Sequence, residues 1–252
     1  MILSKAVAIN VGVNTKPNWG GFRGPIFSDG SFHFIHIPWK QKYGMIDPPP
    51  PRYREMPYAA YVPEKLLDHH VLISPDFSNC TYASTPSALA NKSLFNLRHE
   101  DYLLFYATLC YNNGKEKESW INPAWGAYII GFFKVDFICK SLKQILANEA
   151  AYEAFKNYSW FKSQLEVGDL EVIVPWVKGI REESGLLKKA VPLSSPNDPQ
   201  KWNSLTCELF RTSRGKKLNV DRKARFQTVL TCEGDNLDRL LTKCNLRKQK
   251  CD

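Results

Sequence analysis

The chain has 252 residues, of which 44% are hydrophobic, 13% aromatic and 23% charged; this excludes collagen-like, coiled-coil and wholly disordered chains and suffices to bury the core of a large domain. Thirty-four Lys and Arg against 25 Asp and Glu leave a net charge of +9, which directs attention to anionic partners such as a nucleic acid, a nucleotide or a membrane surface. The excess sits at one end: residues 200–252 hold seven Lys and six Arg against four Asp and two Glu, a net +7, and residues 1–199 carry only +2.

The opening residues lack a basic region followed by a long apolar run, and no apolar stretch approaches about 18 residues. A cytoplasmic protein without a membrane span is expected. Residues 6–13 are a short β-branched run leading into Gly, Asn and Pro, the pattern of a strand entering a loop. Residues 31–38 alternate in bulk and read as a second strand stopped by Pro38, and 71–74 read as a third. Residues 102–111 are aromatic and aliphatic nearly throughout, as in a strand covered on both faces; 112–118 form a solvated turn, and 125–136 give a second such strand. The pair reads as an antiparallel hairpin at the sheet centre. Between 143 and 165 the period becomes helical, 170–177 return to a strand, and 236–245 form a short helix with Leu237, Leu240 and Leu241 on one face.

The sum is an α+β chain whose curved sheet is mainly antiparallel or mixed, with flanking helices; strands and helices do not alternate regularly enough for a doubly wound parallel fold. The prolines at 48–51 and the Pro/Ser stretch 192–199 are the linker signals, and the second coincides with the charge shift. A main domain over 1–195 and a basic C-terminal appendage over 196–252 are therefore expected. Seven cysteines without a C-x-x-C pair signal neither a zinc ribbon nor a thioredoxin-type site. Most read as buried small hydrophobes, and Cys207, Cys232, Cys244 and Cys251 are able to bridge in an oxidising cell or in a hyperthermophile, where intracellular disulfides occur.

The densest chemical signal lies between Asn18 and Phe32. Gly20, Gly21 and Gly24 let backbone approach a ligand closely, consecutive amides there can cradle an anion, and Arg23 between them can fork onto a phosphate or carboxylate. The spacing is neither that of a Walker loop nor G-x-G-x-x-G. The bland alternative is a Gly-rich hairpin in which Arg23 pairs with Asp29.

Val11-Gly12-Val13-Asn14, Gly20-Gly21-Phe22-Arg23-Gly24-Pro25-Ile26-Phe27, Asp29-Gly30-Ser31-Phe32 and Phe34-Ile35 with Ile37-Pro38 resemble the opening signature of the nucleotide-modification-associated domain, third type. Looser matches at Pro75-Asp76-Phe77, Thr81-Tyr82, 101–106 and 178–193 extend the resemblance over about residues 6–195. It implies a role in hypermodification of DNA bases, and adds Asn14, Lys178, Arg181 and Ser184 as partners for a phosphate held by Arg23. As a bland alternative, Lys178, Arg181, Lys188 and Lys189 form a solvated surface. More weakly, 100–106 followed by 127–135 looks like the paired central strands of PUA-like barrels, including the EVE and YTH groups, which implies an aromatic pocket walled by Tyr82, Tyr106, Trp120 and Trp125. Ordinary core packing is the other reading of each ring.

Acid–base candidates are few. Asp76, after Pro75 at a strand end, and Asp29 are the carboxylates an enzyme would use, although a turn cap explains Asp76 equally well. His69 and His70 are adjacent, and His33 and His36 are three apart, so neither pair shares a strand face; without H-x-E or H-E-x-x-H no metal centre is expected. In the C-terminal segment Arg211, Arg214, Lys216 and Lys217, then Arg222, Lys223 and Arg225, have the composition of a surface that tracks a nucleic-acid backbone without reading sequence. The resemblance, together with the Gly-rich loop and the basic segment, thus implies a nucleic-acid-modification-associated protein that binds a nucleotide or a base in DNA or RNA, with catalysis open and no cofactor specified. Alternatives are a non-catalytic reader of modified bases and a structural subunit that docks through its basic tail.

Overall fold

The computed structural model describes residues 4–13, 22–39, 46–85, 90–111, 125–221 and 229–243. In chain order its elements are β1 (Lys5–Asn10), β2 (Gly24–Ile26), β3 (Ile37–Pro38), β4 (Val71–Leu72), β5 (Thr81–Ala83), α1 (Asn91–Leu94), β6 (Tyr102–Tyr111), β7 (Trp125–Ser141), α2 (Leu142–Leu146), α3 (Glu149–Phe155), α4 (Ser159–Val167), β8 (Ile173–Gly179), β9 (Gly185–Pro192), α5 (Ser204–Leu209), β10 (Arg211–Thr212), β11 (Leu230–Glu233) and α6 (Asp235–Lys243).

The apolar run of β6 and the long run of β7 pair antiparallel from Tyr102↔Lys134 to Cys110↔Trp125, so the expected central hairpin is present. Around it the sheet runs β10-β11-β1-β6-β7-β8-β5. Both long strands are shared. The first half of β6 pairs parallel with β1 and its end with β2; the first half of β7 pairs with β9 and its second half with β8. The α+β class with a mixed sheet holds, but the sheet stays open rather than closing into the PUA-like barrel expected from the central strands. Its path ends at β10 on one side and β5 on the other, and these short strands do not meet.

Alternation along the strands divides the core between the two sheet faces. Ala6, Ala8, Leu104 and Tyr106 pack with Trp202, Leu209, Phe210, Leu237 and Leu240 on one face. Val7, Ile9, Leu103, Phe105 and Phe133 pack with Phe34, Cys80, Leu94 and Leu97 on the other. A third cluster gathers α2, α3 and α4 around Trp176 of β8. Among the described residues beyond 195, Trp202, Leu209, Phe210, Leu230, Leu237 and Leu240 join the first of these clusters: β11 pairs with β1 through Lys5↔Glu233 to Ala8↔Leu230, and α5 and α6 cover the face beneath it. Part of the C-terminal segment, β10 and β11, thus forms one edge of the sheet.

Two elements differ from the sequence reading. Only Ile37–Pro38 of 31–38 is strand, paired with β4, while Phe32 makes a single bridge to Ile26. Phe34 and Ile35 are both buried, each inserted into a different cluster, but the backbone here makes single bonds to distant segments, His33 N to the Pro25 carbonyl and Val13 N to the Ile35 carbonyl, rather than a continuous ladder. The helical stretch 143–165 breaks into three helices: Ser141 Oγ caps the first by accepting from Gln144 N at 3.3 Å, Asn148 Oδ1 restarts the chain as α3 by accepting from Ala151 N at 2.9 Å, and α4 begins after Tyr158 without a side-chain cap. Among the described cysteines, 110, 139 and 207 are free thiols and Cys80 and Cys232 are buried; Cys244 and Cys251 lie outside the described residues. No described helix is long and apolar enough to cross a membrane.

Candidate functional site

Arg23 immediately precedes β2, whose parallel pairing places Gly24 opposite Leu109 and Pro25 opposite Cys110. Gly24 is required for that approach, since a Cβ there would collide with the His33 carbonyl. The register of the central hairpin sets Trp125 against Cys110. Arg23 thus arrives over Trp125, its guanidinium carbon 4.3 Å from the ring centroid, with Nη1 3.8 Å from the Cys110 sulfur. Desolvation lowers its pKa, opposed by Cys110, but a guanidinium stays protonated at any physiological pH. Its Nε is buried without a partner among the described residues. Asp29, the carboxylate that would have neutralised it, accepts instead from Ser31 N at 2.9 Å and Ser31 Oγ at 2.6 Å; those bonds lower its pKa, with a smaller contribution from Lys189. A desolvated cation on an aromatic face with an unused donor is suited to a phosphate or carboxylate brought by a ligand.

A second polar node surrounds Asp76. Its carboxylate is buried and accepts from Ser78 N at 3.0 Å, Asn79 N at 3.1 Å and Asn79 Nδ2 at 2.8 Å. It thereby caps the turn that leads into β5, and Lys178 donates to the Asn79 carbonyl of the same turn. His36, which spacing had considered only as a metal ligand, lies nearby. Its Nδ1 is 2.9 Å from the Tyr58 hydroxyl, Tyr53 Oη donates to its carbonyl at 2.6 Å, and Phe34 packs against its ring. Burial drives the His36 pKa down to about 4 against the opposing pull of the Pro75 carbonyl and the Asp76 charge. No local motif signals this group, because its partners come from Tyr53, Tyr58 and Asp76. Next to it Tyr158 Oη donates to Ser74 Oγ at 2.7 Å. Among the described residues no three His, Cys, Asp or Glu side chains converge on a metal site.

The His36 node predicts a pH dependence. An unfolded histidine titrates near 6.5, so the fold holds the neutral form; the stability this represents is present above pH ~6.5 and is lost as pH falls toward 4. The loss is at most about 3 kcal/mol, less for the solvent contact the residue keeps. His36→Gln is expected to flatten that limb of the denaturant midpoint against pH; parallel curves for variant and parent would exclude His36 as its source.

The model of the family nucleotide modification associated domain 3 matches residues 5–242. The chain belongs to that family. No curated protein and no solved structure matches it. The family match runs from β1 through most of α6, so it takes in the C-terminal strands and helices as well as the Gly-rich opening.

Within this family member, the sequence-derived site residues fall into separate groups. Arg23 and Trp125 meet. Asp76 and Lys178 meet at one turn. Arg181 is exposed on a short turn whose Glu183 pairs with Lys134 at 2.9 Å, and buried Ser184 Oγ accepts from Lys134 N at 3.0 Å. Ser184 thus holds β7 in place. Trp125 and Lys134 are nine residues apart on β7, about 30 Å along the strand, so the structure does not bring Lys178, Arg181 or Ser184 to the phosphate position beside Arg23. The aromatic residues do not form one cage either: Tyr106 is in the core of one sheet face beside Trp202, and Tyr82 packs on the other beside Phe105. Burial pushes the Tyr82 phenol up to about 12 and the Tyr106 phenol further. Asn14, Gly20, Gly21, Trp120, Arg222, Lys223 and Arg225 lie outside the described residues. Arg211, Arg214, Lys216 and Lys217 form a tight basic turn around Gly215 beside β10, with an Arg211↔Lys217 bridge.

Proposed function

We propose that the protein binds a nucleotide, or a base within DNA or RNA, as part of nucleotide modification, with a phosphate on Arg23 and a base on the Trp125 side of the same site. The observation that carries this reading is the Arg23 guanidinium held over Trp125 with a buried donor unused and no carboxylate facing it among the described residues. Membership of a nucleotide-modification family supplies the theme, and the basic turn 211–217 adds affinity for a polyanion that weakens as salt rises. Asp76 and neutral His36 are the groups available for proton transfer should chemistry take place, in a node built apart from the Arg23–Trp125 pair.

The direct test is mass spectrometry of nucleosides and nucleotides that copurify with the full chain, paired with titration of Trp125→Ala. Loss of a stacking ring is worth about 1–3 kcal/mol per base, so affinity should fall roughly five- to 150-fold with Trp125→Ala and much less with Trp125→Phe. Unaltered nucleotide affinity in Trp125→Ala would overturn the reading.

A further inference from the structure

The described residues line an open cavity of about 330 Å³ on the opposite side of β1 from the central hairpin, where β1, β11 and β10 lie near the end of α1. The strand registers explain its lining. Val7 pairs with Thr231 and Thr231 with Arg211, so these three share a face and form one row; Lys5 and Glu233 form the next. Ser93 and Asn96, from α1 and the turn after it, make the facing wall, and Ser213, Gly215 and Asn236 close the ends.

The chemistry of this lining is specific. Arg211 is fixed before any ligand arrives, because Nη1 donates to the Cys207, Glu208 and Phe210 carbonyls at 3.4, 2.9 and 2.8 Å at the end of α5; its other two nitrogens take part in none of these bonds. Lys5 supplies a second cation, and its side chain makes no ion pair among the described residues although Glu233 is its cross-strand partner. Serine hydroxyls beside two cations suit a phosphate. The Asn96 and Asn236 amides carry both donors and acceptors, as a base edge requires, and Glu233 can accept from sugar hydroxyls as acidic residues do in dinucleotide sites. The volume is at the lower end of small-ligand pockets, which run from about 300 to 1,000 Å³. It suits one nucleotide rather than a length of strand.

We infer that this edge cavity is a second binding site, separate from Arg23 and Trp125, for a nucleoside monophosphate whose phosphate lies between Lys5 and Arg211. The basic turn carrying Arg214, Lys216 and Lys217 stands at its mouth and draws the anion in. The inference does not depend on the Arg23 site, and its failure leaves that site untouched.

The test is an NMR titration of the full chain, and of the same chain carrying Arg23→Ala, with adenosine 5′-monophosphate, adenosine, inorganic phosphate and a short single-stranded oligonucleotide. Adenosine monophosphate is expected to shift the Ser93, Asn96, Ser213 and Asn236 signals in both chains, with the other three probes at least tenfold weaker there. Lys5→Glu should weaken those shifts about tenfold or more, and Ser213→Trp, at an exposed position of the turn, should abolish them. Shifts confined to the surroundings of Trp125, or adenosine, phosphate or the oligonucleotide matching the monophosphate at these four residues, would overturn the inference. So would undiminished binding by folded Lys5→Glu and Ser213→Trp. The titration of the parent chain decides the matter even where a variant fails to fold.

Discussion

Replacing Arg23 with alanine is expected to lower nucleotide affinity about ten- to 150-fold while leaving the fold nearly as stable. The binding loss follows from a charge-assisted hydrogen bond, worth about 1.5–3 kcal/mol. The stability forecast follows from two opposed terms at the same side chain. The variant gives up the cation–π contact with Trp125, about 0.5–2 kcal/mol. It also removes a buried donor without a partner among the described residues, a group that costs about 1–3 kcal/mol to desolvate. The terms nearly cancel, so the unfolding midpoint should move little. Isothermal titration and thermal unfolding on the same sample separate the outcomes. Retained affinity would remove Arg23 from the binding site, and a large fall in midpoint with affinity intact would make it a packing residue. Arg23→Lys should fall between, since it keeps the charge and loses the fork.

The second large effect is structural. Trp176→Ala is expected to destabilise the chain by about 3–5 kcal/mol, a large share of the ~5–15 kcal/mol that separates folded from unfolded domains. Trp176 is 1% exposed and takes edge-on contacts from Phe155, Tyr158 and Phe161 at 5.6, 6.4 and 5.9 Å. It is therefore the point at which α3, α4 and the turn before α4 are seated on β8. Tyr158 extends the consequence toward Asp76, because the same hydroxyl that donates to Ser74 also accepts from Ala83 N at 3.3 Å. Loosening the helices thus loosens β5 and the turn that Asp76 caps. The indole N–H has no partner among the described residues, so Trp176→Phe should lose far less, within about 1.5 kcal/mol. Urea unfolding of the two variants checks this: a loss below about 1 kcal/mol in Trp176→Ala would mean that the aromatic layer is not packed as described.

The separation of sites along β7 also changes how the basic residues are read. Lys178 is occupied at the Asp76 turn, and Glu183 on the Arg181 turn is occupied with Lys134, whose ammonium it holds above its ordinary pKa. The cations grouped in sequence at 178–189 are thereby divided among different neighbours. Those of 211–217 remain together, because a tight turn closed by Gly215 N donating to the Thr212 carbonyl keeps them on one edge.

What was legible in the sequence was whatever depends on near neighbours. The apolar runs of β6 and β7 needed only their own composition to be read as buried strands, since a strand covered on both faces has no polar positions to hide. The leucines of α6 and the Gly-rich approach to β2 were equally local, and the opening signature sufficed for a resemblance to the family that the chain proved to belong to. Local pattern failed at 31–38, where the backbone bonds go singly to distant segments, and at 143–165, where the Asn148 cap restarts the helix.

By itself, then, the sequence determined the α+β class, the central hairpin, the family and the uneven charge. Only the tertiary structure decided which of its chemically suggestive residues meet. Parallel pairing of β2 with the end of β6 brought Arg23 to Trp125 across a separation of about a hundred residues; strand rise along β7 kept Arg181 away; alternation sent Tyr82 and Tyr106 to opposite faces. The edge pairing of β11 with β1 turned residues from both ends of the chain into one cavity. Contacts of that kind are set by register between distant segments, and register is absent from any window of neighbouring residues.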